Sequence, residues 1–201
     1  MKVQLEEVFE RVGAFLMGQS PIHETARRLA EALGELQVPF AVVGAMAVNA
    51  HGHQRTTGYV DVLLTREGLE TFKKRWLGRG WVEKFAGSKG LKDAVTGTPV
   101  DVRLAGEFPG DGAPKPVAFP DPAQAEVELS RSGFPVLALR PLLELELASG
   151  MTAPHRPRDL DDAIQLIRAN ALPRDYVERL DPYVREKFLA LWDAAQIDED
   201  S

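Results

Sequence analysis

FAVVGAMAVNAHGHQRTTGYVDVLLT, residues Phe40 to Thr65, decides the fold of this chain. Phe40 to Val43 is a short apolar run with the composition of a buried strand. Gly44 turns the chain, and Ala45 to Ala50 is small and mostly apolar, suited to a short helix packed closely on a sheet. Gly52 to Gly58 is polar and bounded by glycines, which predicts a loop. Tyr59 to Leu64 predicts a second, central strand, apolar on both faces. One carboxylate, Asp61, stands inside it. An acid within a β-branched run is costly to bury without a partner or a metal.

A second strand of the same kind lies further on, Val100 to Leu104, carrying Asp101. Two such acids on neighbouring strands predict one of two arrangements. Either they share a hard divalent cation such as Mg2+, which takes carboxylate oxygens together with phosphate oxygens and water. Or each pairs with a nearby cation, Arg55 or Arg103. Gly44 admits a functional reading as well, because a glycine at a strand-to-helix turn lets a phosphate approach the backbone. Arg55, Thr56 and Thr57 suit a phosphate, or are ordinary loop chemistry. His51 and His53 flank Gly52 but lack a third metal ligand, since His23 and His155 lie in distant contexts. His51 is then a ligand contact or a satisfied loop histidine.

Outward from this stretch, helices predominate. Val3 to Met17 has largely helical apolar spacing. Ser20-Pro21 supplies an N-cap and first-turn proline for a helix to about Leu36. Thr65 caps a helix over Glu67 to Leu77. Trp81 to Phe85 and Leu91 to Thr96 are short strands, and Glu126–Leu129 with Phe134–Leu139 is a hairpin. Between them, Glu107 to Pro122 holds five prolines and two glycines and reads as a long irregular loop. From Arg140 helices return, over Leu142–Ala148, Arg158–Asn170, Arg174–Leu180 and Pro182–Ala195, ahead of a frayed tail. The cluster Arg156, Arg158, Asp159, Asp161, Asp162 is a helix start with Asp159 near its N-cap, or carries a polar site residue. The pattern is an α/β (α+β) chain: residues 1–139 hold N-terminal helices and the α/β core, and 140–201 a helical C-terminal part.

Composition narrows the function classes. With 201 residues, 44% hydrophobic and 27% charged, the chain can bury a real core. A net charge of −6 argues against a broad basic footprint for nucleic acid. The absence of cysteine excludes disulfides, thiol catalysis and cysteine metal sites, and predicts a reducing, cytoplasmic home. MKVQLEEVFERV lacks the apolar core of a signal peptide, and no run approaches a membrane span, so no membrane partner is expected. Nucleophile-elbow, Gly-x4-Gly-Lys and dinucleotide glycine motifs are absent.

Three segments together resemble the nucleotidyltransferase superfamily of the DNA-polymerase-β-like fold, in particular small bacterial proteins of the abortive-infection toxin type. VVGAMAVNAHGHQRTTGYVDVLLT (Val42 to Thr65) resembles the family's strand, glycine pair, helix and Arg-x-Thr-x-Asp-hydrophobic-Asp strand. TPVDVRLAG (Thr98 to Gly106) is similar to its third-acid strand, and LELELASGMTAPHRPRDLDDAIQLI (Leu143 to Ile167) to its helix-loop-helix. The resemblance implies a mixed sheet flanked by helices. It implies transfer of a nucleoside monophosphate from a Mg2+-bound nucleoside triphosphate to a hydroxyl on RNA, protein or a small molecule. Asp61 and Asp101 would be catalytic and metal-binding, and Gly44, Ala45, His51, Arg55 and Thr56 would bind nucleotide. A cognate antitoxin or a second copy of the chain would be a partner.

The departures are specific. Tyr59 stands where the family has its first metal acid, Ala45 replaces the second residue of the glycine pair, and Glu146 falls where the family has a helix lysine. A neutral phenol, with an ordinary pKa of ~10, is a poor magnesium ligand. An anion in place of a cation repels triphosphate. The expectation is therefore an impaired enzyme or, alternatively, an inactive binding or regulatory protein of this fold.

Overall fold

A computed structural model describes residues 12–15, 18–153 and 157–197. Most of the expected Val3–Met17 helix, the frayed tail and His155 and Arg156 lie outside these residues; 12–15 are helical. Among the described residues, seven strands form one mixed sheet, and no helix is long and apolar enough to cross a membrane.

Helix α1 is Pro21–Glu35, its buried face made by Thr25, Ala26, Leu29, Ala32 and Leu33. Ser20 occupies the N-cap position, but its side chain bonds His23 Nδ1 (3.0 Å) instead of a backbone amide. Strand β1 (Ala41–Val43) runs into helix α2 (Gly44–Ala50), and β2 is Val60–Leu64. Every residue of β1 and β2 is buried, as runs that are apolar apart from Asp61 require. Helix α3 (Arg66–Trp76) starts at Thr65, whose Oγ1 accepts from Gly68 N–H at 3.0 Å. Strands β3 (Trp81–Glu83), β4 (Leu91–Asp93) and β5 (Pro99–Leu104) follow, then the hairpin β6 (Val127–Leu129) and β7 (Pro135–Leu137). The chain ends in helices α4 (Leu139–Thr152), α5 (Pro157–Ala169) and α6 (Arg185–Ala195). Arg174–Arg179 is a 3-10 helix rather than an α-helix, and it has no buried face. Helix α4 begins three residues before the expected Leu142 because Pro141 sits in its first turn, where its missing N–H has no bond to lose.

The strand order is β3-β4-β5-β2-β1-β7-β6. β2 pairs with β5 and β1 with β7 in parallel; the other pairs are antiparallel. The register sets the site. Asp61 pairs with Val43 on one side and with Asp101 on the other, so the two acids stand side by side at the centre of the sheet. α1 packs on α3 and β2, and α2 packs on β1, β2, β7 and α4. One apolar cluster runs through sheet and helices, from Ala26 through Leu143 and Leu166 to Ala195.

Candidate active site

Asp61 is only 6% exposed although it lies in the middle of β2. Its Oδ1 accepts two N–H bonds from Arg103, from Nη2 at 2.8 Å and Nε at 3.1 Å. Arg103 reaches it because it follows Asp101 by two residues, and alternate residues of a strand share a face. Of the two cations foreseen as partners, the structure selects Arg103. Burial, the largest single influence, acts to lower the pKa of this guanidinium, but the charge and hydrogen bonds of Asp61, with Asp101 and Tyr59 adding to them, together outweigh it and hold Arg103 more firmly protonated. Arg55 turns elsewhere: its Nη2 donates to Asp162 Oδ2 at 2.7 Å. Asp101 forms its own ion pair with Lys84, from the β3–β4 connection.

Gly44 has φ +58°, and a Cβ there would lie 2.6 Å from Asp61 Oδ2. The glycine is therefore required by the carboxylate that packs against it, and by a backbone conformation that other residues avoid. The helix that follows, α2, has seven residues, with Ala45 buried at its start.

A cavity of about 160 Å³ opens between Asp61 and helix α4. Gly44, Ala45, Arg55, Tyr59, Arg103, Glu146, Ser149 and Asp159 border it, with Phe108, Pro109, Gly110 and Phe119 from the proline-rich loop. Lys115 fastens that loop to α4, donating to the Pro109 carbonyl (2.6 Å) and Thr152 Oγ1 (3.2 Å). The long loop is thus a fixed cover. Tyr59 lies just before β2, 40% exposed. Tyr59 and Asp61 both border the cavity, as strand alternation predicts; the Asp61 charge, and then burial, push the phenol above the ordinary range.

Three of the expected ligand-binding residues lie apart from this cavity. His51 bonds the Leu137 carbonyl through Nε2 at 2.8 Å, tying α2 to β7; it is the satisfied loop histidine. Thr56 is exposed and borders an apolar groove with Phe15 and Ile22. Asp101 is not part of the cavity wall. Gly44, Ala45, Arg55 and Asp61 do line it.

Glu146 keeps some accessible surface because it borders the cavity, yet it is enclosed by protein. Desolvation above all, then the charges of Asp159, Asp162 and Asp61, push its carboxyl well above the ordinary range, with Arg55 opposing. The consequence for stability follows from proton linkage. Below the unfolded value of 4.5 both states hold the proton and the residue is neutral to stability. As pH rises past that value the unfolded chain releases the proton first, so stability falls. Glu146→Gln is expected to stabilise the protein at pH 8, by about 1.4 kcal/mol for each pH unit above 4.5 over which the folded carboxyl keeps its proton, because the amide takes up no proton on folding. Urea unfolding at pH 8 and pH 4 checks this, with the gain vanishing at pH 4.

No family model and no curated protein sequence matches the chain. Solved structures are similar to it. The crystal structure of ANT(2″)-Ia in complex with adenylyl-2″-tobramycin is 14% identical and aligns with a TM-score of 0.50, over 80% of this chain and 92% of that one. The solution structure of the antibiotic-resistance factor ANT(2″)-Ia is 16% identical, with a TM-score of 0.43 over 82% and 86%. ANT(2″)-Ia is an aminoglycoside nucleotidyltransferase. The likeness to the first structure establishes a nucleotidyltransferase-like fold for this chain: a seven-stranded mixed sheet flanked by helices.

Proposed function

We propose that this protein is a nucleotidyltransferase-fold protein that has lost nucleotidyl transfer and acts by binding, as a regulatory or toxin–antitoxin component would. The Arg103–Asp61 ion pair carries this reading. A guanidinium already satisfies the carboxylate that would hold magnesium, and Lys84 occupies Asp101. Tyr59 supplies a phenol where another carboxylate is needed. This residue set does not fit a hard divalent cation, which requires several oxygen ligands.

Charge and space support the same reading. Both guanidiniums at the cavity, Arg55 and Arg103, are paired with aspartates, while Asp159 adds an acidic group. Among the described residues, both arginines that line the cavity are engaged by aspartates, which weakens their hold on a polyanionic triphosphate. The cavity of about 160 Å³ is below the roughly 300–1,000 Å³ of ordinary ligand pockets.

A second reading, an active nucleotidyltransferase, draws on the side-by-side register of Asp61 and Asp101. Label transfer separates the two. The protein is incubated with Mg2+, each α-labelled nucleoside triphosphate, and RNA, tobramycin or the protein itself as acceptor. No transfer is expected from the natural chain. Transfer that disappears in Asp61→Ala would establish the active enzyme instead.

A further inference from the structure

Behind the cavity, the loop after α2 lies on α5. Asn170 Nδ2 donates to the His51 carbonyl at 2.9 Å, and Gly52 packs against the Ala169 methyl. The loop is pinned at its other end too, where Asn49 exchanges two 2.8 Å bonds with the Arg55 backbone. Between these anchors, His53 is brought to the start of α5. One ligand atom each of His53, Asp161 and Asp162 lies within 4.8 Å of the others.

Asp162 supplies a second, independent observation. Its side chain is 1% exposed. Arg55 holds Oδ2, while Oδ1 is buried without a hydrogen-bond partner. A buried carboxylate oxygen left unsatisfied in a native fold points to a water or an ion that completes it. Arg55 Nε is likewise buried without a partner; it belongs to the same ion pair as Oδ1, so a water bridging the two is the competing arrangement that the titration below decides.

We propose that His53, Asp161 and Asp162 form a binding site for a divalent first-row transition-metal cation, separate from the Asp61–Asp101 pair. One imidazole and two carboxylates suit Zn2+ or Mn2+ rather than the all-oxygen preference of Mg2+. Bond lengths to such ions are about 2.0–2.2 Å, so the ligand atoms must draw closer together. Asp161 is exposed and His53 half-buried, so both side chains can turn inward, and Asp162 is fixed. Arg55 on Oδ2 orients that carboxylate as outer-shell partners do. Its charge offsets one of the two carboxylates, which keeps affinity moderate. The site is distinct from the transfer chemistry, so it stands whether or not the protein moves nucleotides.

Chelator-stripped protein is titrated calorimetrically with ZnCl2 and, separately, MnCl2. One ion per chain is expected to bind, with a rise in the midpoint of thermal unfolding. His53→Ala and Asp161→Asn should each weaken binding at least about 10-fold. Both residues are surface-accessible, so the metal-free variants should unfold like the natural chain. Asp61→Asn should leave binding unchanged. The proposal fails if neither ion binds, meaning that water alone completes Asp162. It fails equally if His53→Ala and Asp161→Asn bind normally, or if Asp61→Asn abolishes binding.

Discussion

Arg103→Met is expected to destabilise the protein by about 2–4 kcal/mol, measured by urea or guanidinium unfolding. Removing one partner of a buried ion pair costs roughly 3–5 kcal/mol when the site is sealed; here the adjoining cavity admits water and reduces it. The methionine roughly preserves the stem's packing, so the loss reports mainly on charge. Two N–H bonds to Asp61 Oδ1 disappear, in a site where the carboxylate is 6% exposed. The double variant Asp61→Asn/Arg103→Met should be more stable than Arg103→Met alone, because an amide is cheaper to bury than a carboxylate. Strict additivity of the two changes would contradict the pair's role.

Gly44→Ala is expected to cost a similar amount, about 2–4 kcal/mol, for two separate reasons. Alanine resists the positive φ of +58°, a penalty of about 1–2 kcal/mol. Its Cβ also collides with Asp61 Oδ2, 2.6 Å away, and Arg103 prevents that carboxylate from swinging aside. Gly58→Ala is the control: nothing lies within 4 Å of its added Cβ, so its unfolding midpoint should barely move. In an Asp61→Ala background the Gly44→Ala penalty should shrink to the backbone part.

The strands and the acids they carry are legible in the sequence because burial writes them there. Val60–Leu64 admits no polar residue except Asp61, and Val100, Val102 and Leu104 alternate with Asp101 and Arg103. The capping of α3 by Thr65 is local chemistry and equally readable. Which cation meets which acid is not local. Arg55 is near Asp61 in the chain and Arg103 near Asp101, and only the parallel β2–β5 register brings Arg103 to Asp61. Arg55 bonds Asp162, 107 positions away, a contact no spacing rule predicts. The same distance concealed the partners of His53, which by sequence has no third ligand nearby. Gly44 was legible as a turn; that the space above it belongs to Asp61 was not, since strand and turn must first be folded together.

Calorimetric titration of the natural chain with each nucleoside triphosphate in the presence of Mg2+ tests the central claim most directly. If Arg103 and Tyr59 have displaced the metal chemistry from Asp61, no saturable heat is expected, for the natural chain or for Asp61→Ala. Micromolar binding by the natural chain that Asp61→Ala abolishes would contradict the claim and return Asp61 to the role of a metal ligand.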